Sequence, residues 1–286
     1  MVRYLLAVPI LCLALAVPGD AQVPAPPVAS PAPGYADLAD LTLAAPVVID
    51  ATVRSTARIK GAEAAGVAAG RQRLYVEADV RALIRGAEGT PPRIGYLLDV
   101  TPDARGRLPK LKKTRVLVLA RPVPDRTGQL QLVAPDAQLA WSPDTDARVR
   151  AIVRAAVAAD AAPAVTGIGN AFHVPGALPG EGETQVFVTT ADATPMSLSI
   201  LRRPGERPRW SVALSEVVDE AAGPPPRDTL LWYRLACGLP AQLPERATAT
   251  LGPTDAEQAR TDYRFVLTEL GSCGRTRQSS AGNAPA

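Results

Sequence analysis

The sequence predicts an α+β protein in two domains: an N-terminal antiparallel β-barrel, then a three-stranded meander with two disulfide-linked helices. Three observations point there. Strict period-two alternation crowds the first half, as in Arg73–Gly86, where Leu74, Val76, Ala78, Val80, Ala82 and Ile84 share one parity. Helical periodicity is confined to the domain border and the C-terminal region. The 29 prolines and 22 glycines mark many turns and short strands rather than long helices.

The chain opens with Arg3, an apolar run Leu5–Val17 and the small-residue site Gly19-Asp20-Ala21. That is the pattern of an export signal, residues 1–21, removed after Ala21. The run is too short to span a bilayer comfortably, and Pro18 and Gly19 break it. A retained anchor is the alternative; Cys12 lacks the small preceding residue of a lipoprotein site. The mature protein is therefore expected in the periplasm or outside the cell. Residues 22–36 read as a linker, since Gln22–Gly34 is uncharged and rich in proline.

Residues 37–162 form the expected barrel domain. In Pro46–Ile59, Val47, Ile49, Ala51, Val53, Ala57 and Ile59 point inward, with Asp50, Thr52, Arg54 and Arg58 outward. Lys60–Gln72 is a loop of glycines and alanines. After the Arg73–Gly86 strand, Arg93–Val100 places Ile94, Tyr96, Leu98 and Val100 on one face. Thr114–Pro122 has an unbroken apolar centre, Val116–Ala120, which predicts a strand buried on both faces. Asp125–Gly128 is a turn, and Leu130, Leu132, Leu139 and Trp141 complete the set. Strands at this spacing suggest a small closed barrel. The stretches VVIDATVRSTARI, RLYVEADVRALIRG and KTRVLVLARP resemble the OB-fold-like domains of exported bacterial proteins, over residues 46–141 only. In that family a helix ordinarily joins the third and fourth strands. Here Thr101–Lys113 carries two prolines and a glycine instead, which keeps an open antiparallel sheet as the alternative.

Ser142–Ala161 reads as a helix. Ser142 caps it, Pro143 takes its first position, and Asp144 and Asp146 sit in the positive first turn. Val149, Ile152, Val153, Ala156 and Val157 form its apolar face, and Asp146 can pair with Arg150.

Residues 163–275 are the expected second domain. Thr184–Thr190, Pro195–Arg203 and Arg209–Val217 are its strands. One helix runs from Pro226 to Cys237; another opens on a capping box, Thr254-Asp-Ala-Glu257, and buries Ala256, Ala259, Tyr263, Val266, Leu267 and Leu270. Residues 276–286 read as a disordered tail. With Cys12 lost in the leader, Cys237 and Cys273 are an even pair in an oxidising compartment, so one disulfide is expected. It would be worth about 3–4 kcal/mol in the chain-entropy account.

The functional signals are sparse. A net charge of +3 is too small to make nucleic acid the expected partner. His173, the single histidine, stands in Asn170–Gly176, and no Gly-x-Ser-x-Gly elbow accompanies it. Glu181 and Glu183 lie in a Gly-rich turn. Asp144-Thr-Asp146 lacks the glycine and closing Glu of a calcium loop. Gly167-Ile-Gly169 lacks the third glycine of a nucleotide fingerprint. Two cysteines and one histidine cannot complete a tetrahedral metal site without carboxylates; no metal or cofactor is expected. Lys110, Lys112, Lys113 and Arg115 form the one charge run. Outward Arg54, Arg58 and Arg81 would extend it into a candidate patch for anionic polymers. The expected function is a non-enzymatic binding or structural component of the cell envelope. Its partner would be another envelope protein or an anionic glycan or lipid surface. An envelope hydrolase built around His173 is the alternative.

Overall fold

The computed structural model describes residues 33–86, 90–214 and 223–277. The expected export signal, the linker as far as residue 32, Ser215–Val217 of the third meander strand and the tail beyond Arg277 lie outside these.

Six strands form the first sheet: β1 (Val47–Arg58), β2 (Gln72–Arg85), β3 (Arg93–Val100), β4 (Arg115–Pro122), β5 (Gln129–Leu132) and β6 (Gln138–Ala140). Their order is β1-β2-β3-β5-β4-β6, and β1 also pairs with β4, so the first five close a barrel. Closure removes the open-sheet alternative. The barrel is not wholly antiparallel as expected, because β3 and β5 run parallel. The reason is parity: around a ring of five strands, directions cannot alternate throughout.

The inward set matches the period-two reading as far as Val80; past the bulge at Arg81, Ile84 packs on the second apolar cluster instead. Val47, Ile49, Ala51, Val53, Leu74, Val76, Ala78, Ile94, Tyr96, Leu98, Val116, Val118 and Ala120 fill the barrel. The inward parity of β1 does not extend to its end, where Ala57 is exposed. β4 is buried on both faces, as its unbroken apolar centre predicts. Leu117 and Leu119 point out of the barrel into a second apolar cluster. That cluster draws on both sides of residue 162: Val48 and Leu139 from the first sheet, four helices and a second sheet.

The second sheet contains β7 (Val165–Pro175), β8 (Gly182–Thr190), β9 (Met196–Arg202) and β10 (Arg209–Ala213), in the order β10-β9-β8-β7 and antiparallel throughout. The expected meander thus gains a fourth strand, β7. Its alternation was hidden by a register shift between Ile168 and Ala171, around Gly169 and Asn170.

The helices are α1 (Tyr35–Ala44), α2 (Pro143–Val157), α3 (Leu230–Gly238) and α4 (Pro253–Leu270). α1 replaces the end of the expected linker; Leu38, Ala39 and Leu41 are buried in the second cluster. Ser142 caps α2 through the amide of Thr145 at 3.1 Å, and Arg150 reaches Asp146 at 2.9 Å. The helix ends sooner than its sequence suggests, at Val157. α3 begins at the cap Thr229 rather than near Pro226. The expected capping box of α4 does not form. Gly252 occupies the cap and Pro253, with φ already helical, the first turn. Glu257 faces Arg260 and Arg264 instead.

Cys237, in the last turn of α3, is bonded to Cys273, just past α4. The chain then runs back over α1, and residues 276 and 277 are held rather than free. Buried Asp37 accepts from the backbone amides of Thr276 and Arg277 at 2.9 and 3.0 Å, and from the Thr276 hydroxyl. Arg275 forks onto Asp40, and Arg277 onto Asp136 in the β5–β6 connection. Among the described residues, no helix is long and apolar enough to cross a membrane.

Candidate functional site

A cleft of about 790 Å³ lies on the outer face of the barrel, over β2, β3 and β5. Its floor follows from strand parity. Tyr75 of β2 and Leu97 of β3 are register partners that point away from the barrel, and Leu97 is 48% exposed. Tyr75 lies across Gly95, where a Cβ would fall 2.1 Å from its hydroxyl. Gln129 of β5 holds that hydroxyl through its amide at 2.9 Å. The glycine is therefore what lets the phenol lie flat.

One end of the cleft is closed by Arg73, which forks onto Asp99 at 2.8 and 2.9 Å. The Arg73 guanidinium, hydrogen-bonded to it, holds the Asp99 carboxyl below its ordinary value. Arg121 of β4 and Arg126 of the β4–β5 loop line the opposite side, and neither has a carboxylate partner among the described residues. A second cleft, of about 580 Å³, opens on the far side of the same loop, and Arg126 lines both. The site thus offers an aromatic and aliphatic floor with two uncommitted guanidiniums at its rim. That arrangement suits an anionic group flanked by apolar surface.

The sequence-predicted patch is divided. Arg115 is committed: it forks onto buried Asp50 at 2.9 and 2.7 Å and stacks 3.5 Å over Trp141. Arg54 lies 3.7 Å from Asp79. Arg81 sits on a bulged stretch of β2, beyond Ala78, the partner of Val53. Arg58, Lys110, Lys112 and Lys113 are exposed without a carboxylate partner among the described residues. None of the seven lines the main cleft. Arg121 and Arg126 were missed because each stands alone in sequence; only closure of the barrel brings them to Tyr75 and Leu97.

His173 belongs to a different construction. Its Nδ1 lies 2.9 Å from the Thr184 hydroxyl, which donates to Asp262 of α4; Arg202 and Gln258 also donate to that carboxylate. Thr184 and Asp262 are fully buried. A hydrolytic triad needs the imidazole between hydroxyl and carboxylate. Here the hydroxyl stands in the middle, enclosed, and the chain of bonds ties β7, β8 and β9 to α4. Glu181 accepts from the amide of Leu178 within the β7–β8 turn, and Glu183 is exposed. Among the described residues, no cluster of histidine, cysteine or carboxylate side chains could hold a metal ion.

No protein-family model matches this chain, and no curated protein is significantly similar to it.

Proposed function

We propose that the barrel is an OB-like binding module and that the protein serves the cell envelope as a non-enzymatic binding component. The observation that carries this is the cleft, with Tyr75 and Leu97 as its floor and, at its rim, Arg121 and Arg126, which have no carboxylate partner among the described residues. The strand order β1-β2-β3-β5-β4, closed on β1 with β3 parallel to β5, supports the OB-like reading. Folds of that kind take ligands across strands two and three. The Cys237–Cys273 bridge supports an oxidising compartment, as does the N-terminal export pattern. The ligand is an envelope component that presents an anionic group beside an apolar one.

A photo-crosslinking residue at Leu97, in cells that make the protein, tests this. One dominant adduct should form and should disappear when Arg121 and Arg126 are both changed to Glu. Absence of any adduct, or one indifferent to both arginines, contradicts the reading. The hydrolase alternative would draw on His173, whose chain through Thr184 to Asp262 lacks the order a triad needs. Turnover of an ester or amide panel that is abolished by His173→Ala would establish it against the binding role.

A further inference from the structure

The register places two loops at one end of the barrel. β1 ends at Arg58, paired with Leu74 two residues into β2, and β3 ends with Val100 opposite Gln72, the first residue of β2. Loops 59–71 and 101–114 therefore emerge together. From this geometry we infer that the loops form a docking surface for an anionic lipid bilayer.

Charge is the first argument. Arg58, Lys60, Arg105, Lys110, Lys112 and Lys113 are exposed here, and their side chains pair with no carboxylate among the described residues. Lys60, Lys110, Lys112 and Lys113 are all the lysines the chain has. Against them stand Glu63 and Asp103, and Asp103 is engaged by Arg107. A protein of net charge +3 thus places all four of its lysines at one end.

Presentation is the second. Leu108 and Leu111 pack against the barrel interior, which anchors loop 101–114 and leaves its lysines in solvent. The amide of Lys113 bonds the carbonyl of Val53 at 2.7 Å with φ at 69°, a turn that glycine would make more readily. A lysine occupies that position at a conformational cost.

Shape decides between a bilayer and a polymer. Neither loop contains an aromatic residue, and neither lines the clefts described above. Single-stranded nucleic acids are held in grooves over aromatic platforms. A protruding end with cations around exposed Ala62, Ala65, Ala68 and Ala69 meets a flat headgroup layer instead.

The test is binding of the intact protein to phosphatidylcholine vesicles with and without phosphatidylglycerol. A soluble acidic polysaccharide serves as competitor. Binding should require phosphatidylglycerol and weaken as salt rises. Each basic residue near such a surface contributes enough that replacing Lys110, Lys112 and Lys113 together by Gln should cut affinity about a hundredfold. Circular dichroism should show the same fold in that variant, whose changed side chains are solvent-exposed. Replacing Arg121 and Arg126 should leave vesicle binding intact, which separates this surface from the cleft. Equal binding to neutral vesicles, no binding to either, or an unaltered triple-lysine variant would overturn the assignment. So would tighter capture by the polysaccharide than by the anionic vesicles.

Discussion

The backbone amide of Thr276 donates to the carboxylate of Asp37 at 2.9 Å, joining the C-terminal end of the described chain to its first helix. Asp37 is 1% exposed and accepts from two further donors of the same strap, the Thr276 hydroxyl and the Arg277 amide. The contacts that lock α1 over the second cluster are thus made by the last described residues.

Asp37→Ala leaves those three donors unanswered in a dry setting. Hydrogen bonds to an ionised group are worth more than neutral ones, so the cost should be about 3 kcal/mol. Urea denaturation of the variant beside the parent checks it. An unchanged midpoint would mean that the strap contributes nothing.

The Cys237–Cys273 bridge stands directly before that strap. Changing both cysteines to Ser should lower stability by about 3–4 kcal/mol. Protein lacking residues 1–21, and with them Cys12, should also give no thiol signal until it is reduced. The same measurement under denaturing conditions, without reductant, guards against thiols that are merely buried.

Gly95→Ala puts a methyl group 2.1 Å from where the Tyr75 hydroxyl now lies. The ring should swing off the cleft floor and lose Gln129, at a cost of about 1–3 kcal/mol for the forced repacking. Crosslinking from position 97 should fall in the same variant. Full crosslinking yield would show that the flat phenol is not needed for ligand.

Acid should weaken the protein in a definite window. Asp99 is held below its ordinary value by hydrogen bonding from Arg73, and Asp136 likewise by Arg277. A carboxylate lowered in the folded state adds stability that is complete above its unfolded value and is lost as pH falls through the folded one. The urea midpoint should therefore be insensitive to these two groups from neutrality down to about pH 4 and decline below it. Asp136→Asn should be weaker at neutral pH and show a shallower acid decline.

The parts legible in the sequence were those in which one face of an element is dry along its whole length. Val47, Ile49, Ala51 and Val53 alternate without interruption, and they line the barrel. Val116–Ala120 is apolar at every position, and both its faces are covered. Ser142, Pro143 and the Asp146–Arg150 pair announce α2 locally. Where local chemistry is ambiguous, the reading failed. α1 has glycine at its cap with no side-chain bond, so Tyr35 and Ala36 looked like linker. β7 breaks its alternation at a bulge. Thr254 and Glu257 spell a capping box, but the fixed φ of Pro253 starts the helix two residues earlier, with Gly252 as its cap. The site was the least legible part, because Tyr75, Leu97, Arg121 and Arg126 converge only when five strands close.

β4 has no wet side. Val116, Val118 and Ala120 face the barrel, while Leu117 and Leu119 face the helices and the second sheet. It works as a party wall between two rooms, so a flaw in its masonry is felt in both. A chain cut after Trp141 would leave Leu117, Leu119 and Val48 bare to water, and such a fragment should clump rather than stand alone.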